Sequence, residues 1–151
     1  MAEPEFDVTS AHKFLSANCF NSAWDLIDQG DRTCADDEQM LLLSYASMWH
    51  WTQRPDCTPA KKAIGFWQLS RINAILGRAD ESRRHAQSSL TNSGDEPFLV
   101  GYAYEALARA EAVAGNHVKS KEYLATAQRH AESVTSAEDR ELLIRDLDSL
   151  A

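Results

Sequence analysis

The chain has 151 residues, 44% of them hydrophobic and 25% charged, with a formal net charge of −8. A chain of that length forms one domain and buries roughly two-thirds of its unfolded surface, so it needs neither disulfides nor a structural metal to close a core. The acidic balance argues against a surface built for nucleic-acid phosphates, and the longest apolar stretch, MLLLSYASMWHW, is too short and too interrupted by serine to span a bilayer.

Every long segment repeats its apolar residues at three- and four-residue spacing, and none alternates with period two, which predicts an all-α chain of about seven helices. The first is expected from about Thr9 to Asp28, with Phe14, Leu15, Ala17, Phe20, Trp24 and Ile27 as its inward stripe and QGD as its stop. The second is expected from Ala35 to about Arg54, where ADDE places carboxylates over the positive end of the helix dipole. Its apolar face is Leu41, Leu42, Tyr45, Met48 and Trp49, with Trp49 assigned to the core. Ser47, His50 and Arg54 form a separate polar stripe bordered by Trp51. RPDCTP must be a turn, because Pro55 pushes Arg54 out of helical geometry.

Thr58 is a cap for the third helix, with Pro59 at its first position. That helix continues to Leu76, and Gly77 supplies the left-handed residue that ends it. The fourth is expected from Ala79 to Thr91, the fifth from Pro97 to Ala114 before Gly115, and the sixth from His117 to Val134. The last, Ala137 to Leu150, opens on Ser136 and EDRE.

Two stretches align at an offset of 38 residues: AIGFWQLSRINAILGRADESRRHA from Ala63 and GYAYEALARAEAVAGNHVKSKEYL from Gly101. Leu69 falls on Leu107, Arg71 on Arg109, Ala74 on Ala112 and Gly77 on Gly115. Each stretch is a helix, a glycine turn and a returning helix, and neither can bury its apolar face alone, so the two must stack. Leucine followed by a small residue, glycine about eight positions on and small residues in the returning helix make residues 63–131 resemble the tetratricopeptide repeat family. WQLSRINAILG and YEALARAEAVAG are also similar to segments of bacterial tetratricopeptide-like proteins of uncharacterised role. The resemblance implies an α-α superhelix of antiparallel hairpins, with residues 9–54 as a degenerate first hairpin and 137–150 as a capping helix. At the family's tyrosine position this chain has Asn73 and Glu111, and the proline that normally closes a repeat is missing.

In such arrays the first helix of each hairpin lines a concave groove. Carried onto this chain, the groove positions are Ile64, Trp67 and Arg71, then Tyr102, Glu105 and Arg109. Each trio shares one helix face at three- and four-residue spacing. Two arginines beside aromatic rings suit a carboxylate or the acidic end of a peptide. Equally, Arg71 can reach Glu105 across the hairpin interface and serve stacking alone. His50, Trp51 and Arg54 are expected to rim the groove, and Tyr104 joins them in the reading of a closed small-molecule pocket.

The remaining chemistry is sparse. Cys19, Cys34 and Cys57 lack metal or redox spacing and read as reduced thiols. No two of the five histidines stand at i, i+3 or i+4, so neither a metal nor another cofactor is expected. His50 and Cys57 could approach each other across the turn, yet nothing else supports a nucleophile–base pair. Charge is uneven, with a net of −7 over residues 1–53, +4 over 54–84 and −5 over 85–151, and the basic middle could attract an acidic segment. MAEPEFDVTS has no basic leader or apolar run, which with the thiols gives a cytoplasmic expectation. The function expected is therefore a non-enzymatic interaction module that takes a protein or peptide segment, an acidic one included. It is not expected to bind nucleic acid or membrane. The alternatives are a small anionic or aromatic ligand, with or without catalysis, and a structural homodimer.

Overall fold

The computed structural model describes residues 2, 3 and 5–151. Among them are seven α-helices and no strand: α1 Val8–Asp28, α2 Cys34–Thr52, α3 Pro59–Ile75, α4 Ala79–Asn92, α5 Pro97–Val113, α6 His117–Glu132 and α7 Ala137–Asp148. Local chemistry sets the starts. Asp7, Thr58 and Ser136 each accept a hydrogen bond from the backbone N–H three residues on, and Thr33 with Asp36 completes a reciprocal capping box. None of the helices is long and apolar enough to cross a membrane.

The two aligned stretches share their turn in atomic detail. Gly77 and Gly115 have φ of +72° and +78°. The Arg78 N–H donates to Asn73 O and the Asn116 N–H to Glu111 O, both at 2.8 Å. Gly77 N–H donates to Ala74 O and Gly115 N–H to Ala112 O, both at 3.1 Å, so both helices end in the same Schellman motif. In both hairpins a buried serine then fastens the returning helix. Ser82 Oγ donates to Ser70 O at 2.9 Å, and Ser120 Oγ donates to Ala108 O at 2.8 Å.

Each helix packs on the next in sequence, and α3 also packs on α5 and α5 on α7. Glycines inside helices mark the closest approaches. A Cβ on Gly65 would stand 2.6 Å from Met48 Sδ, and one on Gly101 2.6 Å from Leu143 Cδ2. Ala108, Leu124, Ala127, Ala131, Leu143 and Leu147 form the core of the C-terminal half. Ala23, Met40 and Ile72, flanked by Leu26, Ile27 and Leu76, form that of the N-terminal half.

The first hairpin corrects two expectations. Its α1 buries Ser16, Cys19 and Ala23, whereas Phe14 is 65% exposed and Ala17 is exposed too. On α2 the buried residues are Met40, Ser44, Ser47 and Met48, and Trp49 is 56% exposed rather than in the core. The reason is the closeness of the backbones. Ser47 Oγ donates to Ser16 O at 2.7 Å, Ser44 Oγ donates to Gln68 Oε1 at 2.9 Å, and Gln68 Nε2 donates to Phe20 O at 3.0 Å. Where these bonds join the helices the serines take the contact, unbranched Met40 and Met48 fill the space beside them, and the Phe14 and Trp49 rings turn outward.

His85 is buried where α4 meets Tyr45 of α2. Its Nε2 lies 3.0 Å from the Tyr45 hydroxyl and 3.3 Å from the Arg84 guanidinium, which can only donate, so Nε2 accepts. Burial first and the Arg84 cation second push its pKa down to about 4 from the ordinary 6.5. The unfolded chain therefore takes up this proton before the folded one. The contribution of His85 to stability is fully present above pH 6.5 and is lost as the pH drops from there toward 4. Urea midpoints should decline between pH 7 and pH 5, with a shallower slope in His85→Gln, and an unchanged slope in the variant would contradict this assignment. Gly77→Val should cost more than ~1 kcal/mol, because a β-branched side chain is strained at positive φ. A neutral result would mean the Schellman turn does not limit stability.

Candidate functional site

Three helices present one surface. On α3, Ile64, Trp67 and Arg71 lie on one face, and on α5, Phe98, Tyr102, Glu105 and Arg109 do the same. At their contact the Glu105 carboxylate is fully buried. Its Oε2 accepts from Trp67 Nε1 at 2.9 Å, its Oε1 accepts from Arg109 Nε at 2.9 Å, and Arg71 NH1 stands 3.6 Å from Oε1. A carboxylate removed from water is tolerable only with donors on both oxygens, and this one has them. Arg71 thus reaches Glu105 across the interface, the contact that one of its two roles read from sequence requires. Burial, then the neighbouring Arg109 guanidinium, lowers the Arg71 pKa, while Glu105 opposes the shift.

Tyr102 carries the surface on to α7. Its hydroxyl donates to Asp146 Oδ2 at 2.7 Å. Burial, followed by that hydrogen bond, pushes the phenol well above its ordinary pKa, so Tyr102 keeps its proton. Between these helices opens a cavity of about 300 Å³. Trp24 of α1, Ile64 and Trp67 of α3, Phe98 and Tyr102 of α5, and Leu142 and Asp146 of α7 are among the residues that line it. The Trp24 and Trp67 rings are 5.5 Å apart, and Trp67 meets Tyr102 edge-on at 5.2 Å.

A second concavity, about 210 Å³, shares Ile64 with the first and adds Phe20, Trp51 and Lys61. Here the Arg54 guanidinium lies 3.7 Å above the Trp51 ring. Asp56 holds it through Nε at 2.8 Å and Ser16 Oγ through NH1 at 2.9 Å. The Arg54 hydrogen bond takes the Asp56 pKa down to about 2.

The ten residues singled out from sequence therefore separate. Ile64, Trp67 and Tyr102 line the larger cavity, and Trp51 with Ile64 lines the smaller. Arg71, Glu105 and Arg109 pair with one another. Arg54 is committed to Trp51, Asp56 and Ser16. His50 turns to His12, their Nδ1 atoms 2.8 Å apart, and burial followed by the His12 charge lowers its pKa. The Cys57 thiol lies against the Thr58 carbonyl, 4.0 Å away, rather than against His50.

Tyr104 does not belong to the groove. It stacks on His130 of α6 at 5.8 Å with an interplanar angle of 8°, because two residues along a helix turn a side chain by about 200° from Tyr102. Among the described residues no group of three or more His, Cys, Asp or Glu side chains is placed to hold a metal ion.

Trp24, Phe98, Leu142 and Asp146 were not among the sequence candidates. Phe98 stands four residues before Tyr102, and Leu142 four before Asp146, so both pairs carry the same-face spacing that identified the others. Trp24 was placed in the inward stripe of α1, and that stripe faces the cavity at this position.

Comparison with protein-family models, with curated proteins and with solved structures finds no match. The site rests on its own geometry. Glu105→Gln should destabilise the fold by on the order of 2–4 kcal/mol, since two guanidiniums lose a buried counter-charge. Arg71→Ala should cost less, its contact being longer and its side chain 27% exposed. Equal losses in urea denaturation would deny Glu105 its central place.

Proposed function

We propose that the chain is a non-enzymatic interaction module of the tetratricopeptide-like kind, whose groove receives a protein or peptide segment by taking one apolar side chain into the cavity walled by Trp24, Trp67 and Tyr102. The observation that carries this is the cavity itself, at about 300 Å³. That is the lower bound of the range typical of small-molecule pockets, and it suits a single anchoring residue. Arg71 and Arg109 are engaged by Glu105, which favours an apolar anchor over a carboxylate as the group received. Burying such an anchor among rings already ordered by their mutual contacts adds apolar contact with little further loss of side-chain freedom.

A phage-displayed peptide library panned on the protein tests the reading. Leu142, which lines the cavity and is 40% exposed, can be replaced by tryptophan to reduce the space without touching Glu105. The wild type should enrich peptides sharing one apolar or aromatic position, and Leu142→Trp should lose them while melting at the same temperature. Enrichment of nothing, or of the same peptides by both proteins, would refute the proposal.

A further inference from the structure

The geometry points to an acidic side chain as the second group of the bound segment, received by Lys61 in the smaller concavity about three positions from the apolar anchor. This deepens the preceding reading and rests on it. The two hollows are neighbours along one helix. Ile64 lines both, Trp67 lies one turn further along α3 in the larger, and Lys61 lies one turn back in the smaller. A segment whose anchor stands against Trp67 and which follows α3 therefore passes over the second hollow.

The lining there is of two kinds. Phe20, Trp51 and Ile64 give it an apolar floor, and Asn21 and Lys61 add hydrogen-bond donors. No carboxylate lines it, and Lys61 is its one charged lining residue.

The cations of the groove are not equally free. Arg54, 3.7 Å above the Trp51 ring, is bonded to Asp56. Arg71 and Arg109 face Glu105. Lys61 holds its ammonium 5.5 Å from the centre of that same Trp51 ring, and among the described residues no carboxylate oxygen comes within 4.0 Å of it. One indole thus has two cations beside it, and one of them lacks a counter-charge. Lys61 also stands in the first turn of α3, where the helix dipole disfavours a cation and adds to the attraction for an anion.

A basic side chain entering this hollow would meet like charge. A second apolar one would crowd the ammonium without answering it. An inorganic anion would find two donor side chains over a floor that offers it nothing. Glutamate matches the whole lining, its methylenes on Trp51 and Ile64 and its carboxylate at Lys61 and Asn21. The spacing comes from α3 itself: from Lys61 to Trp67 the helix rises about 9 Å. In a polyproline II segment about three residues cover that distance and return to the same face.

The test extends the peptide panning. Sequences enriched by the wild type, aligned on their apolar position, should carry Asp or Glu about three residues from it, always on the same side. The best-enriched peptide is then synthesised with glutamate and with glutamine at that place, and binding is followed by fluorescence anisotropy. The glutamate form should bind about threefold more tightly, the scale of one exposed ion pair, and the ratio should shrink at high salt. Lys61→Met, which keeps an apolar stem beside Trp51 and removes the charge, should erase the ratio and still bind the anchor. Lys62→Met removes the same charge from the neighbouring position, but Lys62 lines neither hollow, so the ratio should survive. Enriched anchors with no acidic residue at that spacing, a ratio that persists in Lys61→Met, or one lost equally in Lys62→Met would overturn the inference while leaving the anchor cavity standing. Enrichment of nothing would sink the anchor reading itself, and this one with it.

Discussion

A carboxylate with no water around it has to be surrounded by donors, and Glu105 meets that condition by drawing on two helices at once. Trp67 and Arg71 come to it from α3, and Arg109 comes from one turn along α5. The indole hydrogen bond fixes how far α3 can slide along α5, because a shift of one residue would carry Trp67 out of reach. With Trp67 held, its ring stands between Trp24 and Tyr102, and the cavity takes its shape from that alignment. The buried charge thus serves as a register device, a role in which ionic groups in protein interiors are well attested.

Around that contact the two hairpins repeat one construction. A glycine at positive φ closes each turn with the same pair of backbone bonds, and a serine twelve residues on from its acceptor ties the returning helix down. Neither device depends on large apolar side chains, which explains how alanine and serine occupy so much of the interface. The equivalence stops where the groove begins. Trp67 and Glu105 occupy the same place in successive repeats and have become partners, one the donor and one the acceptor. Stacked repeats can diverge in this way at facing positions while their turns stay alike.

The helices were legible because their ends are written in cap and turn chemistry: Thr58 before Pro59, Ser136 before an acidic turn, and Gly77 and Gly115 after the last helical residues. The inner faces of the first hairpin were not. Hydrophobicity favoured Phe14 and Trp49, but the bond from Ser47 to Ser16 O brings the backbones too close for rings, and the serines went inside. In the site, the face of α3 and its continuation on α5 could be read from spacing, since each lies on one helix. The contribution of α7 could not. Leu142 and Asp146 share a face, but which face of a terminal helix meets the rest of the chain depends on packing against α5 and α6, about which spacing within α7 says nothing.

The account stands on the indole of Trp67 being held by Glu105 in the folded protein. Hydrogen exchange of the tryptophan side-chain N–H groups, followed by nuclear magnetic resonance, reads that bond directly. The Trp67 Nε1–H should exchange orders of magnitude more slowly than that of exposed Trp49, at a rate near that of the buried backbone amides of α3 and α5. Exchange of Trp67 as fast as Trp49 would show that the carboxylate does not hold the ring, and the alignment of the cavity walls would lose its cause.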